Sequence, residues 1–136
     1  MRSTPFVAII VTCALIGCSG SRNEASTVPS IAPADALKFL GRDSSVVFLD
    51  VRSNEEFTSE TGHLEGAILV PVDSLENRTA QLEPYKSKTI IAYCRSGVRS
   101  SRAQRILAGK GFHALSMLGG ITRWNKEQLP VVKESH

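Results

Sequence analysis

Four short apolar runs alternate along this chain with stretches of helical spacing, and that alternation leaves few folds open. The runs are Val46–Leu49, Ala67–Val70, Thr89–Tyr93 and Ala114–Leu118, and none contains a charged residue. A strand without a polar face is buried on both sides, as in a parallel sheet, where helices cover each face. Helical spacing follows each run: Asn54–Ser59, Asp73–Tyr85 (broken by Pro84), Ser100–Ala108 and Ile121–Gln128. The expectation is an α/β fold, one domain, with a central parallel sheet and helices on both faces.

Local signals agree with this plan. Pro33–Leu40 has helical spacing, with proline in the first turn and Gly41 as a stop. Ser53 stands where it can cap the helix at Asn54. Gly62–Gly66 reads as a loop, and Pro71 closes the second strand. In Ser100–Ala108, Ala103, Ile106 and Leu107 share one face, and Gly109 and Gly111 end the helix. Trp124 is expected in the core beneath the last helix.

The N-terminal stretch is read apart from the fold. Arg2 precedes the apolar segment Phe6–Ile16, which has signal-peptide length, and Leu15-Ile16-Gly17-Cys18 resembles a bacterial lipobox. That resemblance implies a signal peptide over residues 1–17 and lipid on Cys18, with an ordinary cleaved secretory signal as the alternative. Residues 18–30 then form a lipidated tether rich in Ser, Thr, Asn and Pro, and residues 31–136 the domain. The expected location is the bacterial cell envelope, lipid-anchored and facing the periplasm or the exterior. Of the 3 cysteines, Cys13 leaves with the signal and Cys18 is capped, so Cys94 is the one free thiol of the mature chain. The net charge of +3 is small and dispersed apart from Arg95, Arg99, Arg102 and Arg105, which suits a small anion and not a nucleic acid.

Cys94 stands where the strand Thr89–Tyr93 hands over to a helix, in Tyr93-Cys94-Arg95-Ser96-Gly97-Val98-Arg99-Ser100. Backbone N–H groups and a helix N-terminus favour negative charge there, so the thiol is expected to ionise readily and stand exposed. In parallel sheets ligands gather at the carboxyl ends of strands, which is the position of Cys94. Asp50 and Arg52 end the first strand on the same rim. Arg52 either pairs with Glu55 or Glu56 or meets substrate, and Asp50 is expected to hold a loop by accepting backbone N–H groups. His63 is either a general base or a ligand of the neighbouring loop. The Cys and His spacing suggests no metal site, and nothing implies a cofactor.

Together these pieces resemble the rhodanese-like domain family. They are Phe48-Leu49-Asp50-Val51-Arg52, Glu55-Glu56-Phe57, Gly62-His63-Leu64-Glu65-Gly66-Ala67, Val70-Pro71, the Cys94 segment through Ser101, and Leu118-Gly119-Gly120-Ile121-Thr122-Arg123-Trp124. The resemblance runs from about Ile31 to Val132. It implies an α/β fold and a sulfurtransferase in which Cys94 carries sulfur as a persulfide, from thiosulfate or a related donor to cyanide or a cellular thiol. Backbone N–H groups of Arg95, Ser96, Gly97, Val98 and Arg99 would cradle the sulfur, with Arg95 and Arg99 attracting the anionic donor. Some members serve as binding or redox-sensing modules without catalysis. Cysteine-dependent phosphatases and arsenate reductases resemble the same plan but place arginine at the sixth position after cysteine, where this chain has Ser100.

Overall fold

The computed structural model describes residues 27–135. The signal segment, Cys18 and most of the 18–30 stretch lie outside them. Five strands form one sheet: β1 (Ser30–Ile31), β2 (Val46–Asp50), β3 (Ile68–Leu69), β4 (Thr89–Tyr93) and β5 (His113–Met117). Their order is β1-β5-β4-β2-β3, and every pairing is parallel. The helices are α1 (Pro33–Ala36), α2 (Asn54–Phe57), α3 (Val72–Arg78), α4 (Val98–Gly109) and α5 (Gly120–Lys126). Short 3-10 turns extend α1 over Leu37–Phe39 and α3 over Thr79–Tyr85, the latter containing Pro84. Among the described residues no helix is long and apolar enough to cross a membrane.

Strand parity divides the core in two. Leu49, Val51, Ile90, Ala92 and Ala114 face α3 and α4, where Val72, Leu75, Ala103 and Leu107 meet them. Phe48, Ile91, Tyr93 and Met117 face α1 and α5, packing on Ala36, Ile121 and the fully buried Trp124. The sheet is thus covered on both faces, as the uncharged runs within its strands require. The Trp124 Nε1–H is satisfied by the Pro130 carbonyl at 3.0 Å.

Element boundaries differ from the sequence reading by one or two residues in several places, and two of these shifts have a clear physical cause. Ser30, the last residue assigned to the tether, is in β1 and pairs with Ser116. A two-residue strand has no run of apolar residues to announce it. Helix α4 begins at Val98 and not at Ser100, because Gly97 adopts φ of 107° and turns the chain into the helix at once.

Candidate active site

Parity also fixes the direction of Cys94. Ile90, Ala92 and Cys94 alternate onto the α3–α4 face, so the thiol enters the core beneath the loop. Cys94 is 0% exposed, which corrects the expectation of an exposed sulfhydryl. The chain then curls over it through Arg95, Ser96 and Gly97 into α4. The N–H of Gly97 donates to Sγ at 3.1 Å and that of Ser100 at 3.4 Å. Ser100 lies in the first turn of α4, where backbone N–H groups have no intrahelical acceptor and remain available to a ligand. Its hydroxyl stands 3.7 Å from the same sulfur.

These contacts decide the acidity of the thiol. Burial alone pushes it up. The N–H and hydroxyl of Ser100, with the N–H groups of Gly97 and Ser96, outweigh burial and hold it below the ordinary thiol range. Of the residues 95–99 expected to cradle the sulfur, Gly97 donates to Sγ and Ser96 contributes to the raised acidity, and Ser100, outside that range, takes the remaining share. Its place in the quoted motif, on the first turn of a helix, was the available signal.

The loop is held in shape from behind. The N–H groups of Ile121 and Thr122, at the start of α5, donate to the carbonyls of Cys94 at 2.8 Å and Arg95 at 3.1 Å. With those carbonyls drawn outward, the loop's N–H groups are left to turn inward. A side chain at Gly120 would collide with both carbonyls, so only glycine permits this approach.

Arg52 does not pair with Glu55 or Glu56. Its guanidinium binds Asp50, with Nη2–Oδ2 at 2.7 Å and Nε–Oδ1 at 3.0 Å. Its remaining N–H groups reach Thr61 Oγ1 at 2.9 Å and the Gly62 carbonyl at 2.8 Å. Burial works against the charge, but Asp50 more than offsets it and keeps the guanidinium ionised. Asp50 also accepts the backbone N–H of Arg52 at 3.0 Å, the loop-holding role expected of it. Asp50 and Arg52 thus fasten the end of β2 to the turn at residues 61–62.

Glu56 instead receives Arg99, in a fork of two 2.7 Å bonds. The Arg99 bonds, acting against partial burial, hold the Glu56 carboxyl down at about 2. Glu56 also closes a capping box with Ser53 at the start of α2. The two loop arginines therefore have different roles. Arg99 is tied to α2, while Arg95 is exposed and makes no ion pair among the described residues. Arg95 lines a cleft of about 230 Å³ together with Arg52, Glu56, Ser59, Thr61 and Ile121. A larger cavity of about 450 Å³, near Phe39, Val46 and Tyr85, lies towards the opposite end of β2 from Asp50.

His63 makes its contacts away from the Cys94 loop. Its ring stacks on Phe57 with centroids 3.8 Å apart, and Nδ1 faces the Leu64 carbonyl at 3.1 Å. Its backbone exchanges two hydrogen bonds with Val132, pinning the C-terminal segment. Nε2 lies 3.5 Å from Glu134. None of these partners is in the Cys94 loop.

A parallel sheet with a cysteine at the end of its central strand, cupped by the N–H groups of loop and helix, defines a class of cysteine-loop α/β domains. The model of the rhodanese-like domain matches residues 32–127, and the chain belongs to that family. It is similar to the tRNA uridine(34) hydroxylase of Cronobacter sakazakii, 29% identical over 76% of this chain and 31% of that protein. It is also similar to a probable adenylyltransferase/sulfurtransferase MoeZ of Mycobacterium tuberculosis, 28% identical over 79% of this chain and 27% of that protein. The chain thus spans about a third of the length of these relatives. A rhodanese-related protein from Thermoplasma volcanium superposes with a TM-score of 0.70 at 30% identity, covering 78% of this chain and 99% of that one. A rhodanese-like domain protein from Staphylococcus aureus gives 0.65 at 27%, covering 77% and 99%.

Proposed function

We propose that the chain is a sulfurtransferase that moves sulfane sulfur from thiosulfate, or a related anionic donor, through a persulfide on Cys94. The observation that carries this reading is a buried cysteine whose sulfur accepts N–H groups from Gly97 and Ser100. The Cys94 thiolate attacks the outer sulfur of the donor. The donor's S–S bond breaks, and sulfite leaves with the bonding electron pair. The outer sulfur, now bound to Sγ, is attacked by cyanide or a thiolate, and the Cys94 thiolate is released. The cradle stabilises the anion at both ends of the cycle. Arg95, in its open cleft, attracts the donor and balances charge on departing sulfite. The sulfurtransferase in the name of the mycobacterial relative supports the same chemistry.

The test is intact mass. Excess thiosulfate should add one sulfur atom to the protein, and cyanide should remove it. Cys94→Ala should abolish both while leaving the fold intact. Undiminished turnover in that variant would rule the mechanism out. A second reading, a binding or redox-sensing module of the same fold, draws support from the complete burial of Cys94 and predicts no mass gain. Phosphatase or arsenate reductase chemistry is disfavoured, because Arg99 is at the fifth position and is forked onto Glu56.

The lipobox-like Leu15-Ile16-Gly17-Cys18 supports placing this activity on the envelope, anchored through Cys18. Cys18→Ala should abolish lipid labelling of the precursor. Equal labelling would remove the anchor from the proposal.

A further inference from the structure

Cys94 has no exposed surface, so its proton needs a route out. The hydroxyl at the sulfur is that of Ser100, at 3.7 Å. Ser100 Oγ lies 2.8 Å from Ser116 Oγ, and Ser116 Oγ lies 3.4 Å from Ser101 Oγ. Ser116 comes from β5 and is only 3% exposed, a polar side chain in an otherwise apolar strand end. Ser101 and Ser116 line a groove of about 450 Å³ on the β1 side of the loop, walled by Val28, Val98 and Leu118. The four atoms make a continuous row from the sulfur to that groove.

Each hydroxyl has one proton to give and lone pairs to receive another. With the sulfur protonated, S–H points to Ser100, Ser100 to Ser116, and Ser116 to Ser101. When the thiol ionises, its proton passes to Ser100, Ser100's own passes to Ser116, Ser116's own passes to Ser101, and Ser101's own swings off the Gly97 carbonyl to a water in the groove. No other bond changes. The row is left reversed, with Ser116 donating to Ser100 and Ser100 donating to the thiolate. The proton's departure thus installs the hydrogen bond that stabilises the anion it leaves behind. Ser100 has a competing acceptor, the Gly97 carbonyl at 3.1 Å. A donor from Ser116 occupies a lone pair of Ser100 and helps keep its hydroxyl on the sulfur. Ser101 already donates to that same carbonyl at 2.8 Å.

We propose that Ser116 is a positioning residue acting through Ser100, and that Ser100, Ser116 and Ser101 form the route by which Cys94 exchanges its proton with water in the groove. The charged groups around the loop are the Asp50–Arg52 pair at the end of β2, the Glu56–Arg99 pair joining α2 to α4, Arg95, and the exposed Asp73–Arg102 pair across α3 and α4. The titratable His113 of β5 stands at the far end of that strand, bonded to Thr89. None of these is altered by substituting Ser116, so a changed pH profile isolates the hydroxyl row.

The experiment titrates Cys94 in the full chain by thiolate ultraviolet absorbance, taking each protein against its own Cys94→Ala counterpart, and then follows the relaxation after a pH jump. In Ser116→Ala the midpoint should rise by about one pH unit, a tenfold loss of thiolate below the midpoint, and relaxation should slow. Ser116→Thr, which keeps a hydroxyl, should restore both. Ser101→Ala, on a half-buried residue, should keep the midpoint and slow relaxation. A wild-type midpoint in Ser116→Ala overturns the proposal, and so does wild-type relaxation in Ser101→Ala, which decides the matter if Ser116→Ala does not fold. The inference rests on Cys94 as the working thiol of the proposed transferase. A shifted midpoint in a protein that gains no sulfur from thiosulfate would sink the transferase and leave the row standing.

Discussion

Two arginine–carboxylate pairs flank the reactive loop, and they are built for different ends. Asp50–Arg52 is buried, at 0% and 1% side-chain exposure, and spans two positions in sequence. Glu56–Arg99 is about one-third exposed on each side and joins residues 43 positions apart. The first pair is enclosed by protein, with all its guanidinium nitrogens bonded. Breaking it strands a charge in the core. The second is partly screened by water, so its contribution to stability is small, yet among the described residues it is the ion pair that ties α2 to the first turn of α4. Stability and placement of the site are therefore carried by different pairs.

The comparison can be broken most directly at Arg52. Arg52→Ala leaves Asp50 unpaired in the core and should cost about 3–5 kcal/mol. For a domain of this size the melting temperature should fall by more than about 15 °C in calorimetry. A drop of only a few degrees would show that the buried pair does not carry the stability assigned to it.

Arg95→Ala probes the arginine left over by both pairs. It should leave the melting temperature unchanged and raise the KM for thiosulfate about tenfold, the equivalent of one charge-assisted hydrogen bond. An equal rise in Arg99→Ala, with its fold undisturbed, would erase the distinction between the two loop arginines.

The smallest effect is the pH dependence of the outer pair. Glu56 is held at about 2 in the folded protein, below the ordinary glutamate range near 4.5. A depressed carboxyl contributes stability that is fully present above pH 4.5 and is lost as pH falls through about 2. Solvent screening reduces that contribution to about 1 kcal/mol. Denaturant titrations between those limits should show this slope in the wild type and a flatter one in Glu56→Gln. Matching slopes would mean that the fork to Arg99 is not held in solution.

Much of the fold was legible because its longer strands contain uncharged runs separated by helical spacing, a pattern that neither bundles nor half-solvated sheets produce. Cys94 was legible because it stands at the end of such a run, before a loop with glycine. Its burial was also present in the sequence, in the parity of Ile90, Ala92 and Cys94, although a nucleophile's need for access to its substrate points the other way. The partner of Arg52 was harder. Asp50, Glu55 and Glu56 lie within four positions of it, and only the geometry of a strand end selects Asp50. The fork from Arg99 to Glu56 and the row through Ser116 join distant segments, and no local pattern announces either. Strand β1 was missed because two residues cannot show a period.

The two amides of α5 that grip the loop from behind have a use in experiment. Ile121 N–H and Thr122 N–H end on the carbonyls of Cys94 and Arg95, so they can exchange with deuterium only when helix and loop part. Their exchange rates should therefore gauge how often the sulfur chamber opens, residue by residue and without any reagent entering it. If loading a second sulfur wedges the loop outward, these two amides will quicken together while the rest of the sheet keeps its pace.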